Sequence, residues 1–220
     1  MPALMLELAV KSLLSYLLGA VLGGLIVGRL RGGVDIRTMG SGNAGGTNAL
    51  RTQGAGFALW VMLIDIGKGW IAAGVLPYIA LPGVLLDATI PRDWLAVACA
   101  SAAVLGHVYP VWYGFRGGKG AATLVGVLIG LEPMALPVVL GVWLIVLMTT
   151  GFVGLSTMLA TFSFLIYLFA FGTDSSAALL TFGIGMCVFV CYTHRANIER
   201  MRAGTENRAT RMWLLRPRSR

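Results

Sequence analysis

The sequence predicts an all-α polytopic membrane protein of seven transmembrane helices, with its N-terminus outside and its C-terminus in the cytoplasm. Three observations carry that prediction. Of the 220 residues, 57% are hydrophobic and only 12% charged, with a mean hydropathy of +0.82, outside the range of ordinary globular domains. Several apolar runs approach the roughly 20 residues that a helix needs to cross about 30 Å of hydrocarbon, and they lack the alternation of barrel strands. The basic residues concentrate in alternate connections between those runs, the pattern that orients a membrane chain.

The first run, residues 4–28, lacks a basic n-region and a small-residue cleavage site, so it reads as a retained span rather than a signal peptide. Its Glu7 and Lys11, i to i+4 near a membrane end, are expected to snorkel toward water. The second run, residues 57–81, carries Asp65 and Lys68 one turn apart. Such charges must neutralise each other and face the bundle or a wet cavity, either as structural glue or as part of a site. The third run covers 94–113. The fourth, 121–150, is interrupted at Glu132-Pro133, where Pro removes a backbone donor and a mid-membrane carboxylate is expensive. It is expected to split into a short fourth helix, 120–131, and a fifth, 134–150. The remaining spans cover 152–171 and 177–193. Cys99, Cys187 and Cys191 lie inside apolar runs and offer neither a disulfide framework nor zinc spacing.

Charge decides the count. Arg29, Arg31, Arg37 and Arg51 lie between the first two spans, Arg116 and Lys119 follow the third, and eight arginines follow the last, against Arg92 alone in the opposite loops. The basic side is cytoplasmic, and termini on opposite sides require an odd number of crossings: seven, or five as the fallback. The formal charge of +8 thus reports orientation, and no nucleic-acid partner is expected. A fourth helix of about 12 residues covers only about 18 Å, leaving room for a cytoplasmic funnel. Residues 1–220 read as a single integral-membrane domain, ending in a basic tail that is solvated and lies on anionic lipid.

Three polar clusters abut spans on the basic side: "GSGNAGGTNALR" (40–51), "GHVYPVWYGFRGGKGAAT" (106–123) and "HRANIERMRAGTENR" (194–208). Glycine-dense backbone beside a helix start exposes N–H groups that cradle an oxyanion, and an adjacent Lys or Arg neutralises its charge. "RGGKGAAT" therefore predicts a phosphate loop feeding the fourth helix, although Walker A spacing is absent. His107 and His194 sit at the cytoplasmic ends of the third and last spans, each beside a candidate anion loop. With two histidines and no Cys or carboxylate at ligand spacing, no metal or other cofactor is expected.

Together the clusters resemble the three motifs of the bacterial acyl-phosphate:glycerol-3-phosphate acyltransferase family, integral membrane enzymes that acylate position 1 of glycerol 3-phosphate. "GSGNAGGTN" with Arg51 resembles the first motif, "GHVYPVWYGFRGGKGAAT" the second, "HRANIERMRAGTE" the third, and "DIGK" in the second span a further family feature. The resemblance runs through nearly the whole chain in order. Gly46 stands where the family usually has Ala, Tyr109 where Phe is usual, and Arg116 where Lys is usual; the last keeps the charge but changes donor geometry.

The resemblance implies catalytic importance for Ser41 and Arg51, with His107, His194, Asn197 and Glu206 as further catalytic candidates. It implies substrate and phosphate contacts at Gly40, Asn43, Thr47 and Asn48, and at Arg116, Gly117, Gly118, Lys119 and Gly120, with Asp65 and Lys68 as an intramembrane pair. It also implies that acyl phosphate and glycerol 3-phosphate are the substrates, that the peripheral enzyme making acyl phosphate is a partner, and that the protein is a monomer among inner-membrane lipids with its active site facing the cytoplasm.

An acyl phosphate is a mixed anhydride with a good leaving group, so catalysis needs cationic and N–H donors for two phosphates, a positioned hydroxyl and room for an acyl tail. The proton acceptor stays open between His107, His194 and the substrate phosphate. Ser41 can orient or attack, and direct attack is expected because the donor is already activated. A transporter of a phosphorylated metabolite is the rival reading, but transporters commonly carry an internal repeat and a midplane site. A scaffold that merely binds lipid headgroups accounts for the arginines but not for the glycines and asparagines.

Overall fold

The computed structural model describes residues 2–84, 86–171, 177–210 and 212–215. Among them regular structure is helical, apart from one isolated bridge between Leu81 and Val84. Arg211, Arg216, Arg218 and Arg220 of the basic tail lie outside the described residues. The chain divides into two compact units, Met1–Pro133 and Met134–Arg220, and the division falls at the Glu132-Pro133 interruption.

The first unit contains α1 (Pro2–Gly19), α2 (Gly23–Leu30), α3 (Gly46–Gln53), α4 (Ala55–Gly74), α5 (Arg92–Val108) and α6 (Ala121–Leu131). The first span is broken: Leu6–Gly19 and Gly23–Leu30 meet at 46°. The second stops at Gly74, short of residue 81, because Pro77 cannot continue the helix. Helix pairs here approach closely through glycine. A β-carbon on Gly69 would strike Thr123 O and one on Gly126 would strike Ile66 O, locking α4 to α6; Gly19 and Gly106 do the same between α1 and α5. Small residues at such contacts let backbones pack without the hydrophobic effect that drives association in water.

Glu7 and Lys11 do not snorkel. Both side chains are fully buried, paired at 2.8 Å. Arg92 adds a 2.6 Å bond to Glu7, the Asp87 amide donates to Glu7 Oε2, and Lys11 donates to Pro77 O. The segment between α4 and α5 thus folds over the end of α1 and neutralises there what water would otherwise solvate.

The second unit contains α7 (Leu136–Thr150), α8 (Val153–Phe171), α9 (Ala177–Thr193) and α10 (Arg195–Arg202), with α9 and α10 meeting at 54°. The fourth run does split as its Glu-Pro signal predicts, into α6 and α7. The tail differs from expectation, because part of it is docked. Ala209 N donates to Gly151 O, Leu214 N to Met148 O, Trp213 Nε1 to Thr149 O and Arg208 Nη1 to Thr150 O. These bonds occupy the carbonyls that α7 leaves orphaned at its C-terminus. The Arg208 guanidinium lies 4.3 Å from the Phe152 ring and 4.1 Å from the Trp213 ring.

Among the described residues, four helices are individually long and apolar enough to cross a bilayer: Ala55–Gly74, Arg92–Tyr113, Pro133–Thr150 and Val153–Phe171. The two bent pairs raise the number to as many as six, and α6 is a shorter apolar helix of 11 residues, about 16 Å long.

Candidate active site

In the first unit, the "GSGNAGGTN" segment is a loop wound around one buried amide. Asn48, on the first turn of α3, donates through Nδ2 to Ile36 O, Met39 O and Asn43 O and accepts from Ser41 N at 2.9 Å. Gly40 and Gly42 take φ of 57° and 70°, a left-handed conformation that favours glycine. Asn43 closes the next turn by accepting from Gly45 N. This places Ser41, Thr47 and Arg51 on the exposed side of the loop and of α3. Asn48, expected to touch substrate, has its amide committed to bonds within the loop.

The second loop also departs from expectation in its donors. Gly117 N donates to Val108 O and Gly118 N to His107 O, satisfying carbonyls at the end of α5. These two amides are therefore not available to a phosphate. Glycine is required there for space, since a β-carbon on Gly117 would collide with His107 O and one on Gly118 with His107 Nε2. The donors that remain are those at the start of α6. Gly120, at φ 88°, is its N-cap, and Leu124 N, bonded to Gly120 O at 2.8 Å, is the first amide turned inward. The amides of Ala121, Ala122 and Thr123 thus point out of the helix start with its positive dipole, beside half-buried Lys119.

Beneath this loop lies a buried polar knot. Lys68 Nζ stands 2.8 Å from Asp65 Oδ1, 2.7 Å from Val21 O and 2.9 Å from His107 Nδ1, and Gly23 N donates to Asp65 Oδ1. The α4 ion pair thereby satisfies the groups exposed where the first span breaks between α1 and α2, which a bilayer tolerates only when protein supplies partners. Both loops also converge on Arg37, which the sequence reading used only for orientation. Arg37 is paired with Asp35 at 2.8 Å, donates to Tyr113 O and Arg116 O, and its guanidinium lies over the Tyr113 ring. The hydrogen bond from Arg37 holds the Asp35 carboxyl below its usual range, and the same bond raises Arg37. A cavity of about 460 Å³ opens here, lined by Asp35, Arg37, Thr38, Trp112, Tyr113, Gly114 and Arg116. The available signal was Asp-x-Arg ahead of the glycines, an N-capping Asp whose partner has no apolar run to orient.

In the second unit, His194 is the N-cap of α10 at the bend after α9. Its Nδ1 lies 2.9 Å from Val190 O. A carbonyl only accepts, so Nδ1 carries the proton and Nε2 is the accepting nitrogen. Asn197 donates to Glu206 Oε1 at 2.7 Å and Arg200 Nε to Glu206 Oε2 at 2.6 Å. Glu206 therefore clamps the segment after α10 back onto that helix, with both oxygens engaged.

The chain as a whole is matched in known proteins. The family model for glycerol-3-phosphate acyltransferase matches residues 9–204. The chain belongs to that family. It is 37% identical to the glycerol-3-phosphate acyltransferase of Chlorobium limicola over 94% of this chain and 98% of the relative, and 42% identical to that of a Synechococcus strain over 92% and 94%. It also superposes on two crystal structures of PlsY, an integral membrane glycerol 3-phosphate acyltransferase. The glycerol 3-phosphate form matches with a TM-score of 0.78 at 33% identity, covering 91% of this chain and 94% of that one. The lysophosphatidic acid form matches with the same score and identity over 95% and 99%. Among its described residues the acyltransferase is thus all-helical, and its apolar helices correspond to those of an integral membrane relative. Glu206, Arg208 and Trp213 lie beyond the part matched by the family model.

Proposed function

We propose that this acyltransferase moves an acyl group from acyl phosphate to the 1-hydroxyl of glycerol 3-phosphate, giving 1-acylglycerol 3-phosphate and phosphate. The observation that carries the reading is the start of α6, where amides and Lys119 offer a phosphate site in a chain homologous to a protein captured in glycerol 3-phosphate and lysophosphatidic acid forms. The substrate hydroxyl oxygen attacks the acyl carbonyl carbon, the bond from that carbon to the bridging oxygen breaks, and phosphate leaves.

In this reading Lys119, Gly120 and the first amides of α6 hold the phosphate of glycerol 3-phosphate. Arg51 and Arg116 neutralise the donor's phosphate, with Gly40, Asn43 and Thr47 shaping its approach and Ser41 acting as an orienting donor. The proton passes to the leaving phosphate or to one of the two histidines, His107 or His194, while Asn197 and Glu206 fix the third motif. Seven crossings, with α6 the short one, the N-terminus outside and this chemistry at the cytoplasmic face of the inner membrane, agree with the distribution of arginines.

The test uses purified protein in detergent with acyl phosphate and glycerol 3-phosphate, following lysophosphatidate and released phosphate, with parallel runs on acyl-CoA and acyl-carrier protein. Product from acyl phosphate alone supports the donor assignment. No product, together with uptake of glycerol phosphate into sealed vesicles, overturns it in favour of transport. Mixing protein with acyl phosphate alone and weighing it intact tests direct attack; an acylated Ser41 would replace that step with a covalent one.

A further inference from the structure

We infer that His107 is a positioning residue, locked by Lys68 as its neutral Nε2–H tautomer and serving as the strut under the glycine loop rather than as the proton acceptor. The inference rests on the acyl-transfer reading above, and it assigns a role to one of that reaction's two histidines.

A lysine ammonium has three hydrogens to give and no lone pair. Around Lys68 Nζ stand three acceptors at bonding distance: Asp65 Oδ1, Val21 O and His107 Nδ1. The third bond exists only if Nδ1 keeps its lone pair, so the proton of the neutral ring is on Nε2. Nε2 then has nothing with which to accept a proton. Asp65 Oδ1 also stands 3.5 Å from Nδ1, farther than the 2.9 Å to Lys68, so protonating Nδ1 as well would break the bond to Lys68 and leave two cations sharing one carboxylate in a buried site. His194 is the opposite case, since its Nδ1 donates to Val190 O and its Nε2 is the acceptor. The two histidines are thus fixed in opposite tautomers by the groups behind them.

What His107 touches gives it a different task. Its carbonyl accepts from Gly118 N, and its ring edge occupies the space where a Gly118 side chain would be. One residue therefore sets both the height and the tilt of the backbone that leads into Lys119 and α6. The ring is held in turn by α4, through Lys68 and Asp65, and by the break between α1 and α2, through Val21 and Gly23. Disturbing it displaces the phosphate site before it touches proton transfer.

Two variants and one spectroscopic measurement test this. His107→Asn places an amide oxygen near the Nδ1 position and keeps an acceptor for Lys68, whereas His107→Gln places its amide near Nε2 and leaves Lys68 short. The expected result is that Asn raises KM for glycerol 3-phosphate about tenfold with kcat lowered only about threefold, and that Gln is worse in both. A fall in kcat of about a hundredfold or more in the Asn variant, with KM unchanged, is what loss of a general base would give and overturns the inference. Because either variant can misfold, the wild-type protein labelled with ¹⁵N-histidine provides an independent reading from its two histidines. One ring should show an unprotonated Nδ1 and a protonated Nε2, and should vanish in His107→Asn; the other should show the reverse. A protonated Nδ1 on His107 overturns the inference even in a fully active enzyme, while a wild type with the expected tautomers and no acyl transfer overturns the function and not the geometry.

Discussion

Replacing Asn48 probes the link between a buried amide and the exposed serine it presents. Its carboxamide makes one accepted bond, from Ser41 N, and three donated ones, to Ile36 O, Met39 O and Asn43 O. The amide has only two hydrogens, so those three acceptors share them and the donors count as about two bonds. With each net bond worth about 1 kcal/mol, Asn48→Ala removes about 2–4 kcal/mol from the folded loop, allowing for the buried carbonyls left behind. If that energy orders Ser41, kcat/KM falls between about 30-fold and 1,000-fold, because each 1.4 kcal/mol is about tenfold.

Asn48→Asp sharpens the test. It is nearly isosteric and retains the acceptor for Ser41 N, but it aims an oxygen at three carbonyl oxygens, so it should be at least as damaging as Ala. The assay is steady-state acyl transfer in detergent, with thermal unfolding measured in parallel to separate a disordered loop from an unfolded protein. An Asp variant within about threefold of wild type would refute the reasoning, since the donated bonds would then carry none of the loop's order.

Three further outcomes follow from the same geometry. Glu7→Leu strands Lys11 as a buried cation and should cost about 3–5 kcal/mol in thermal unfolding, whereas Glu7→Leu combined with Lys11→Leu should recover most of that loss. Trp213→Ala should free the docked tail from the α7–α8 turn, lowering Tm and exposing the chain near Arg208 to limited proteolysis; an unchanged cleavage pattern would place the latch elsewhere. Because its bond to Arg37 holds the Asp35 pKa below the ordinary value of 3.8, the pair's contribution is complete above that value and lost as pH falls through the lowered one. Asp35→Asn should therefore reduce the loss of stability in that acid window, measured as Tm against pH.

The sequence alone made the class of the molecule and its candidate loops legible. Helical spans follow from runs of about 20 apolar residues, the α6–α7 break from Glu132-Pro133, and the candidate loops from glycine and asparagine density beside spans. These are local or compositional signals, readable because a bilayer imposes one solution on every apolar run. Only the tertiary structure decided what each polar group was doing. Glu7 and Lys11 are buried together because Arg92 and the Asp87 amide, some 80 residues away, reach Glu7, and Pro77 O accepts from Lys11. Gly117 and Gly118 looked like phosphate donors, yet their amides belong to α5. The two histidines are indistinguishable as letters, and they differ because one faces a lysine ammonium and the other a carbonyl. A hydrogen bond is directional and depends on which partner the fold brings within 3 Å, and no spacing along the chain records that.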